Sequence, residues 1–321
     1  VAILLRAPAA LLALTVFGFA ATSCSAGSAP STQSTRVKLV QNPWDASRLD
    51  VAIADILLTE QLGMTVTVTE IGEYAQWAYL ASGDEHACLE VWPSGHIEDA
   101  ANYLQTSRVE GAGLLGPIGK ISWYVPNYLL TGNPALASYE YFKSAANTAP
   151  FATPDTYPKG RLLSGDRSWT SYDADIIANL GLNLQEVFAQ SEQDELSILD
   201  HAYKDREAIL LYLWTPHAAL AKYELTPVQL PPYSDACYAT IASGGVDCDY
   251  PPDRLFKVVW PGLKAMNPRA YQFVKNFTLT SEDQITLLNL VDNAGYSIVQ
   301  AARWWIDQPA KKLIWQTWIP K

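Results

Sequence analysis

Signatures of catalysis and of nucleotide binding are scarce in this 321-residue sequence. It has no Gly-x-Ser-x-Gly elbow, no His-Glu-x-x-His pair and no Walker-type loop. The stretch Gly111 to Gly119 is glycine-rich but lacks the spacing of a phosphate loop, and no Lys-Ser or Lys-Thr follows it. The four histidines, His86, His96, His201 and His217, are scattered, and a solitary histidine is more often a structural hydrogen-bonder than a catalyst. Basic residues are in deficit, 22 Lys and Arg against 33 Asp and Glu, for a net charge of -11. With no basic run, a nucleic-acid partner is disfavoured, because phosphate binding rests on clustered cations. No enzymatic activity, cofactor or resident metal is expected. Charged residues make up only 17% and hydrophobic residues 49%, which fits a packed protein rather than a disordered one.

Aromatics are plentiful, with 11 Trp and 17 Tyr against two Met. Most of these rings must be ordinary core, so position has to separate the functional ones.

The first 24 residues read as an export signal, with one basic residue, Arg6, an apolar stretch from Leu11 to Ala20, and small residues leading to Cys24. The apolar stretch is too short to span a bilayer. The ending is similar to a bacterial lipoprotein cleavage box in which Cys24 carries the lipid, although Ala21 stands where such boxes usually have Leu. Residues 25–35, rich in Ser, Ala, Gly, Pro and Thr, read as a flexible tether.

From Val37 onward, strands and helices alternate, which predicts an α/β fold with parallel strands and right-handed crossovers. A strand at Val37–Val40 leads to Trp44, and Asp45 is placed to cap a helix running to Gly63. Thr65–Thr69 is a strand, a helix passes through Tyr74, Trp77 and Leu80, and the strand Ala87–Val91 ends at Trp92. Lys120–Pro126 reads as an extended crossing segment, and one helix is expected around Tyr139–Ala146. Strand Arg161–Leu163 leads to Trp169, where Thr170 with Asp173 forms a capping box for a helix to Gly181. A helix at Ser191–Ala202 precedes the strand that ends at Trp214, and a further helix spans Pro216–Tyr223. Phe256–Val259 is a strand. The end of the chain is helical, with a capping box at Ser281 and Gln284 and one apolar face from Ile285 to Ala302. Trp304, Trp305, Trp315 and Trp318 belong to that tail and are expected in the core, as is Trp77. Cys237 and Cys248, separated by a short loop in an exported protein, are expected to pair as a disulfide, with Cys88 a buried thiol.

Four tryptophans, Trp44, Trp92, Trp169 and Trp214, thus share one topological position, just past an apolar strand. In open α/β sheets ligands bind beyond the carboxyl ends of parallel strands, so these rings can converge on one pocket. A cage of indole faces suits a quaternary ammonium ion, which offers no strong hydrogen bond and is bound through the ring quadrupole. At roughly 1 to 2 kcal/mol per desolvated ring, three or four faces supply about 4 to 8 kcal/mol. Micromolar binding needs about 8 kcal/mol net, so a second anchor is useful. The helix N-terminus expected at Thr170 and Ser171 is placed to hold a carboxylate.

Three segments carry a resemblance to a known family. Val91-Trp92-Pro93-Ser94-Gly95-His96, Trp169-Thr170-Ser171 and Tyr212-Leu213-Trp214-Thr215-Pro216 are similar to the cage segments of the glycine betaine/proline betaine substrate-binding proteins of ABC importers, a resemblance that extends from about Val37 to the end. It implies a two-lobed periplasmic-binding-protein-like fold of type II, with residues 36–122 and 233–321 forming one lobe and 123–232 the other. It also implies a ligand held in the cleft by Trp92 and His96 from one side and by Trp169, Thr170, Ser171 and Trp214 from the other. Trp44 and Trp123 are added as further candidates. The implied protein is a monomer outside the cytoplasmic membrane, anchored by lipid, that hands a betaine-type solute to a permease. Choline or carnitine are alternative ligands of the same fold. Two other classes remain open: a carbohydrate receptor, which needs polar partners beside the rings such as Asp166 and Arg167, and a secreted hydrolase using Glu90 with Asp173.

Overall fold

The structure, a computed structural model, describes residues 35–321. The export segment, Cys24 and the tether up to residue 34 lie outside the described residues. Among the described residues there are nine strands: β1 (Arg36–Gln41), β2 (Thr65–Glu70), β3 (Ala87–Val91), β4 (Glu110–Pro126), β5 (Gly160–Ser164), β6 (Leu184–Phe188), β7 (Leu211–Thr215), β8 (Leu225–Pro227) and β9 (Pro252–Val259). They make one sheet in the order β2-β1-β3-β9-β4-β7-β5-β6, with β8 on β4.

At one end, β1 runs parallel to both β2 and β3, and the helices α1 (Asp45–Leu62) and α2 (Gln76–Ser82) form the crossovers. At the other end, β5 runs parallel to β6 and β7. Trp44 and Trp92 therefore leave the same edge of one half, and Trp169 leaves beside the strand that carries Trp214. The halves are joined through β4 and β9. The first part of β4 pairs with β9 and its last part with β7 and β8, and the change of partner falls at Lys120, which faces both Pro252 and Thr215. The glycine-rich stretch is thus the irregular first half of a 17-residue strand. Register slips occur around Leu114, and Gly116, at φ 127°, passes so close to the Leu279 carbonyl that a Cβ there would overlap it.

The helix α1 forms because Leu49, Ile53 and Leu57 repeat on one face, all buried, and it stops where Gly63 turns left-handed and returns its N–H to Thr59. Its cap position is Trp44, not Asp45. The Asp45 carboxylate instead accepts from Arg48 at 2.9 Å. Other expected boundaries also move. The helix after Trp169 begins at Asp173, because the Thr170 amide is already taken by Glu73, and the Ser171 hydroxyl accepts the Asp173 N–H at 3.0 Å. The segment after Pro216 is helical only over Ala219–Lys222. Around Tyr139–Ala146 the chain makes two short turns rather than one helix.

In the C-terminal region the capping box is Thr280 with Asp283, one residue earlier than expected. Both registers fit the Ser/Thr-x-x-acid-or-amide pattern. Asp283 decides between them because it also receives the Trp305 indole N–H at 2.8 Å and Lys311 at 2.6 Å. The single long face is split by left-handed Gly295 into helices Ser281–Asp292 and Ile298–Asp307, the second with its own box at Ser297 and Gln300. Trp77, Trp305, Trp315 and Trp318 are buried as expected, whereas Trp304 is 37% exposed. Among the described residues no helix is long and apolar enough to cross a membrane.

Cys237 and Cys248 form a disulfide, and the Cys88 thiol in β3 is buried, which pushes its pKa up to about 12. Closing a loop of 11 residues constrains the unfolded chain by about 3 kcal/mol in the chain-entropy account. Urea denaturation of the Cys237→Ser/Cys248→Ser double variant is expected to show a stability loss of about 2 to 3 kcal/mol. An unchanged midpoint would contradict that role.

Candidate functional site: an aromatic pocket at the strand ends

The pocket between the two halves encloses about 430 Å³ of empty space, counting the part open to solvent. Its walls are the four exit tryptophans, Trp44, Trp92, Trp169 and Trp214, with Tyr212 and Tyr250 beside them. The rings stand at steep angles to one another. Trp169 meets Trp44 at 6.2 Å and 87°, and Trp214 at 5.0 Å and 88°. Such edge-to-face packing fixes ring orientation and turns more than one π-face toward a common centre.

Hydrogen bonds behind the rings hold two of the indoles. Glu90, buried in β3, uses one carboxylate oxygen to accept the indole N–H of Trp44 at 2.8 Å and that of Trp92 at 2.9 Å. Its other oxygen accepts from Gln284 at 3.2 Å, and the same Gln284 amide reaches Asp50 at 3.3 Å. Burial pushes both carboxyls above the ordinary range. For Asp50, which rises furthest, the charge of Glu90 adds to this, whereas for Glu90 the donors from Trp92, Asp50 and Trp44 pull the other way. Both raised carboxyls lie directly behind the two indoles, with Glu90 as the one that accepts their N–H groups.

Glycines make room for the rings. A Cβ at Gly119 would overlap the Trp92 ring, and one at Gly165 would overlap the Trp169 ring. Ser94 and Gly95 complete the wall beside Trp92. Asp253 fixes Ser94 by accepting its amide at 3.0 Å and its hydroxyl at 2.6 Å. Burial raises the Asp253 carboxyl to about 6 against those two hydrogen bonds.

The halves touch across the pocket through polar contacts. Glu73, in the loop after β2, accepts the Thr170 amide with one oxygen and holds His96 Nε2 at 3.1 Å with the other. Glu192 accepts the Asp45 amide at 2.7 Å, Gln193 donates to Asp45 at 3.1 Å, and Tyr172 donates to the Ser94 carbonyl at 3.0 Å.

Of the expected site residues, Trp44, Trp92, Trp169, Thr170 and Trp214 line the pocket. His96, Ser171 and Trp123 do not. His96 lies one layer out, between Glu73 and Asp99, whose carboxylate is 2.9 Å from Nδ1. Burial opposes its charge, but the hydrogen bonds to Asp99 and Glu73 outweigh that and raise its pKa to about 9. Ser171 donates to Glu186 at 3.0 Å. Trp123 shares a sheet face with Trp214, but it is wholly buried and donates to Asp173 at 2.8 Å. The Thr170 amide, expected to be open for an anion, is occupied by Glu73. Tyr212, Tyr250, Glu73 and Ile121 also line the pocket without having been expected there. Tyr212 was within reach, since strand alternation puts it on the same face as Trp214. Glu73 sits in a loop with no motif around it.

Residues 35–308 match the family described as the substrate binding domain of ABC-type glycine betaine transport systems. The chain belongs to this family. It is 26% identical to the trimethylamine N-oxide-binding protein of Pelagibacter ubique over 267 residues, 80% of this chain and 82% of the relative. Among solved structures it resembles lactococcal OpuAC, closed with glycine betaine, at a TM-score of 0.69 and 20% identity, covering 89% of this chain and 99% of that one. A choline-binding protein of an ABC transporter, in complex with choline, matches at a TM-score of 0.70 and 16% identity, covering 89% and 92%. The two-lobed periplasmic-binding-protein-like fold follows, and the family comprises extracytoplasmic binding proteins of ABC transporters rather than enzymes.

Two outcomes test this geometry. Replacing Glu90 with Leu strands two buried indole N–H groups at about 1 to 3 kcal/mol each. A folded Glu90→Leu protein is therefore expected to bind its ligand at least tenfold more weakly in a fluorescence titration, with Glu90→Gln milder because it keeps an acceptor oxygen. Equal affinities for the two variants and the parent would contradict the role of Glu90. The raised His96 pKa also has a stability consequence. The folded value of about 9 lies above the reference 6.5, so the contribution is complete below pH 6.5 and is lost as pH rises through 9. Denaturation midpoints measured from pH 6 to pH 9.5 should fall for the parent more than for His96→Gln, and parallel curves would contradict the assignment.

Proposed function

We propose that this protein captures a quaternary ammonium compound in the aromatic pocket and delivers it to an ABC permease. The observation that carries the reading is four indoles and two phenols around one small cavity, with the Glu90 carboxyl fixing two of them from behind. Quadrupole attraction favours a cation that cannot be satisfied by hydrogen bonds. The names of the relatives point the same way: glycine betaine, choline and trimethylamine N-oxide all present three methyl groups on nitrogen.

In this reading residues 36–122 and 233–321 form one lobe and 123–232 the other, with the ligand held where they close. The protein acts as a monomer held outside the cytoplasmic membrane by a lipid on Cys24. A carbohydrate receptor fits less well, because the polar pair it requires is engaged elsewhere. Asp166 accepts the Ser168 amide at 2.7 Å, and Arg167 stacks over Phe188 at 4.5 Å. A glycosidase-like pair is disfavoured likewise, since Glu90 is committed to two indoles and Asp173 to Trp123 and Tyr250.

Titration of the purified protein with glycine betaine, choline, carnitine and trimethylamine N-oxide is expected to change its tryptophan fluorescence with at least one of them. Trp214→Ala should weaken that ligand by about 1 to 2 kcal/mol while the fold persists. A flat response to all four compounds would overturn the reading.

A further inference from the structure

Glu73 is a carboxylate of the chain itself that lies in the pocket wall and is not a wall of the aromatic cage. We propose that it sets the ligand class: the pocket takes a trimethylammonium cation whose other end is neutral, such as a choline-like alcohol, and disfavours a zwitterion that ends in a carboxylate. The inference rests on the proposed function and narrows it.

Three observations carry it. Thr170, directly after Trp169, is the residue of that turn in the pocket wall, and Glu73 accepts its backbone N–H. A single N–H that already serves one carboxylate is not open to a second. Glu73 is itself held from behind, because its other oxygen faces His96 Nε2 at 3.1 Å and the residue is 4% exposed, so it is not free to swing out for an incoming anion. The cluster is also not neutralised by His96. Asp99 lies 2.9 Å from the other ring nitrogen, which the Trp77 indole N–H also approaches at 3.1 Å, so two carboxylates face the one imidazole that could offset them. A ligand carboxylate placed near Thr170 would meet that charge at close range, whereas a cation would be attracted by it. The Trp169 indole N–H, buried and without an acceptor among the described residues, is a donor that a ligand oxygen of either kind can take, so it does not enter this choice.

The polar bridge across the cleft is therefore made by the protein rather than by the ligand. Glu73 links the loop after β2 to the turn after Trp169, and the ligand has only to fill the cage and offer one oxygen.

Isothermal titration of the full chain with choline and with glycine betaine tests this, using the parent and Glu73→Gln, which keeps an oxygen for the Thr170 amide but removes the charge. The parent is expected to bind choline at least about tenfold more tightly than glycine betaine, and Glu73→Gln to shrink or reverse that ratio. Glycine betaine binding as tightly as choline to the parent would overturn the inference while leaving the proposed function standing. So would a folded Glu73→Gln protein, checked by circular dichroism, with an unchanged ratio. Binding of neither compound by the parent, with no response to other quaternary ammonium compounds, would overturn both.

Discussion

A single buried carboxylate oxygen, on Glu90, receives the N–H groups of Trp44 and Trp92, and the shape of the pocket depends on it. Burying a polar group is costly unless it is hydrogen-bonded, and here the bonds come from the rings that the carboxyl has to position. Because the indoles are tied by their N–H edges, their faces are left for the cavity. Gln284, at the start of a C-terminal helix, donates to the second oxygen, so the last part of the chain is coupled to the orientation of the rings.

The second half of the sheet supplies the opposing wall. Trp214 stands in β7 opposite Ile121 of β4, and Trp169 leaves the neighbouring strand β5 in a turn closed by its own amide on the Asp166 carbonyl. The halves meet through a few polar contacts, chiefly Glu73 with Thr170, Glu192 and Gln193 with Asp45, and Tyr172 with Ser94. Each such bond replaces one to water, and its net worth is about 1 kcal/mol for the neutral one and about 1.5 to 3 kcal/mol for one to an ionised carboxylate. A handful of them holds the cleft shut only weakly, which is the balance a receptor needs if ligand burial is to tip the equilibrium toward closure.

How much of this was legible in the sequence follows from where each signal is stored. The tryptophans were legible because an apolar strand that stops at a Trp reports topology and exposure together, and parallel pairing of β1 with β3 and of β5 with β7 brings such exits to one edge. The disulfide was legible from two cysteines and a short loop. Helix starts were not, because capping patterns are short and overlap. Thr280 and Ser281 both fit, and only the burial of Asp283 against Trp305 and Lys311 separates them. At Thr170 the pattern was present, but a residue 97 positions away had taken the amide. Glu73 and the role of Gly119 and Gly165 were hidden for the same reason: their meaning lies in what crosses the cleft or packs on them, not in their neighbours along the chain. Trp123 shows the limit of the tryptophan argument, being on the right face but one row too deep.

The central claim is that the pocket recognises a positive charge with aromatic faces, not merely a bulky apolar group. The most direct measurement is a comparison of choline with 3,3-dimethylbutan-1-ol, its neutral carbon isostere, by isothermal titration against the unmodified protein. Choline is expected to bind, and the neutral alcohol of the same shape to bind at least tenfold more weakly. Comparable affinities for the two would contradict it, because the pocket would then be reading size alone.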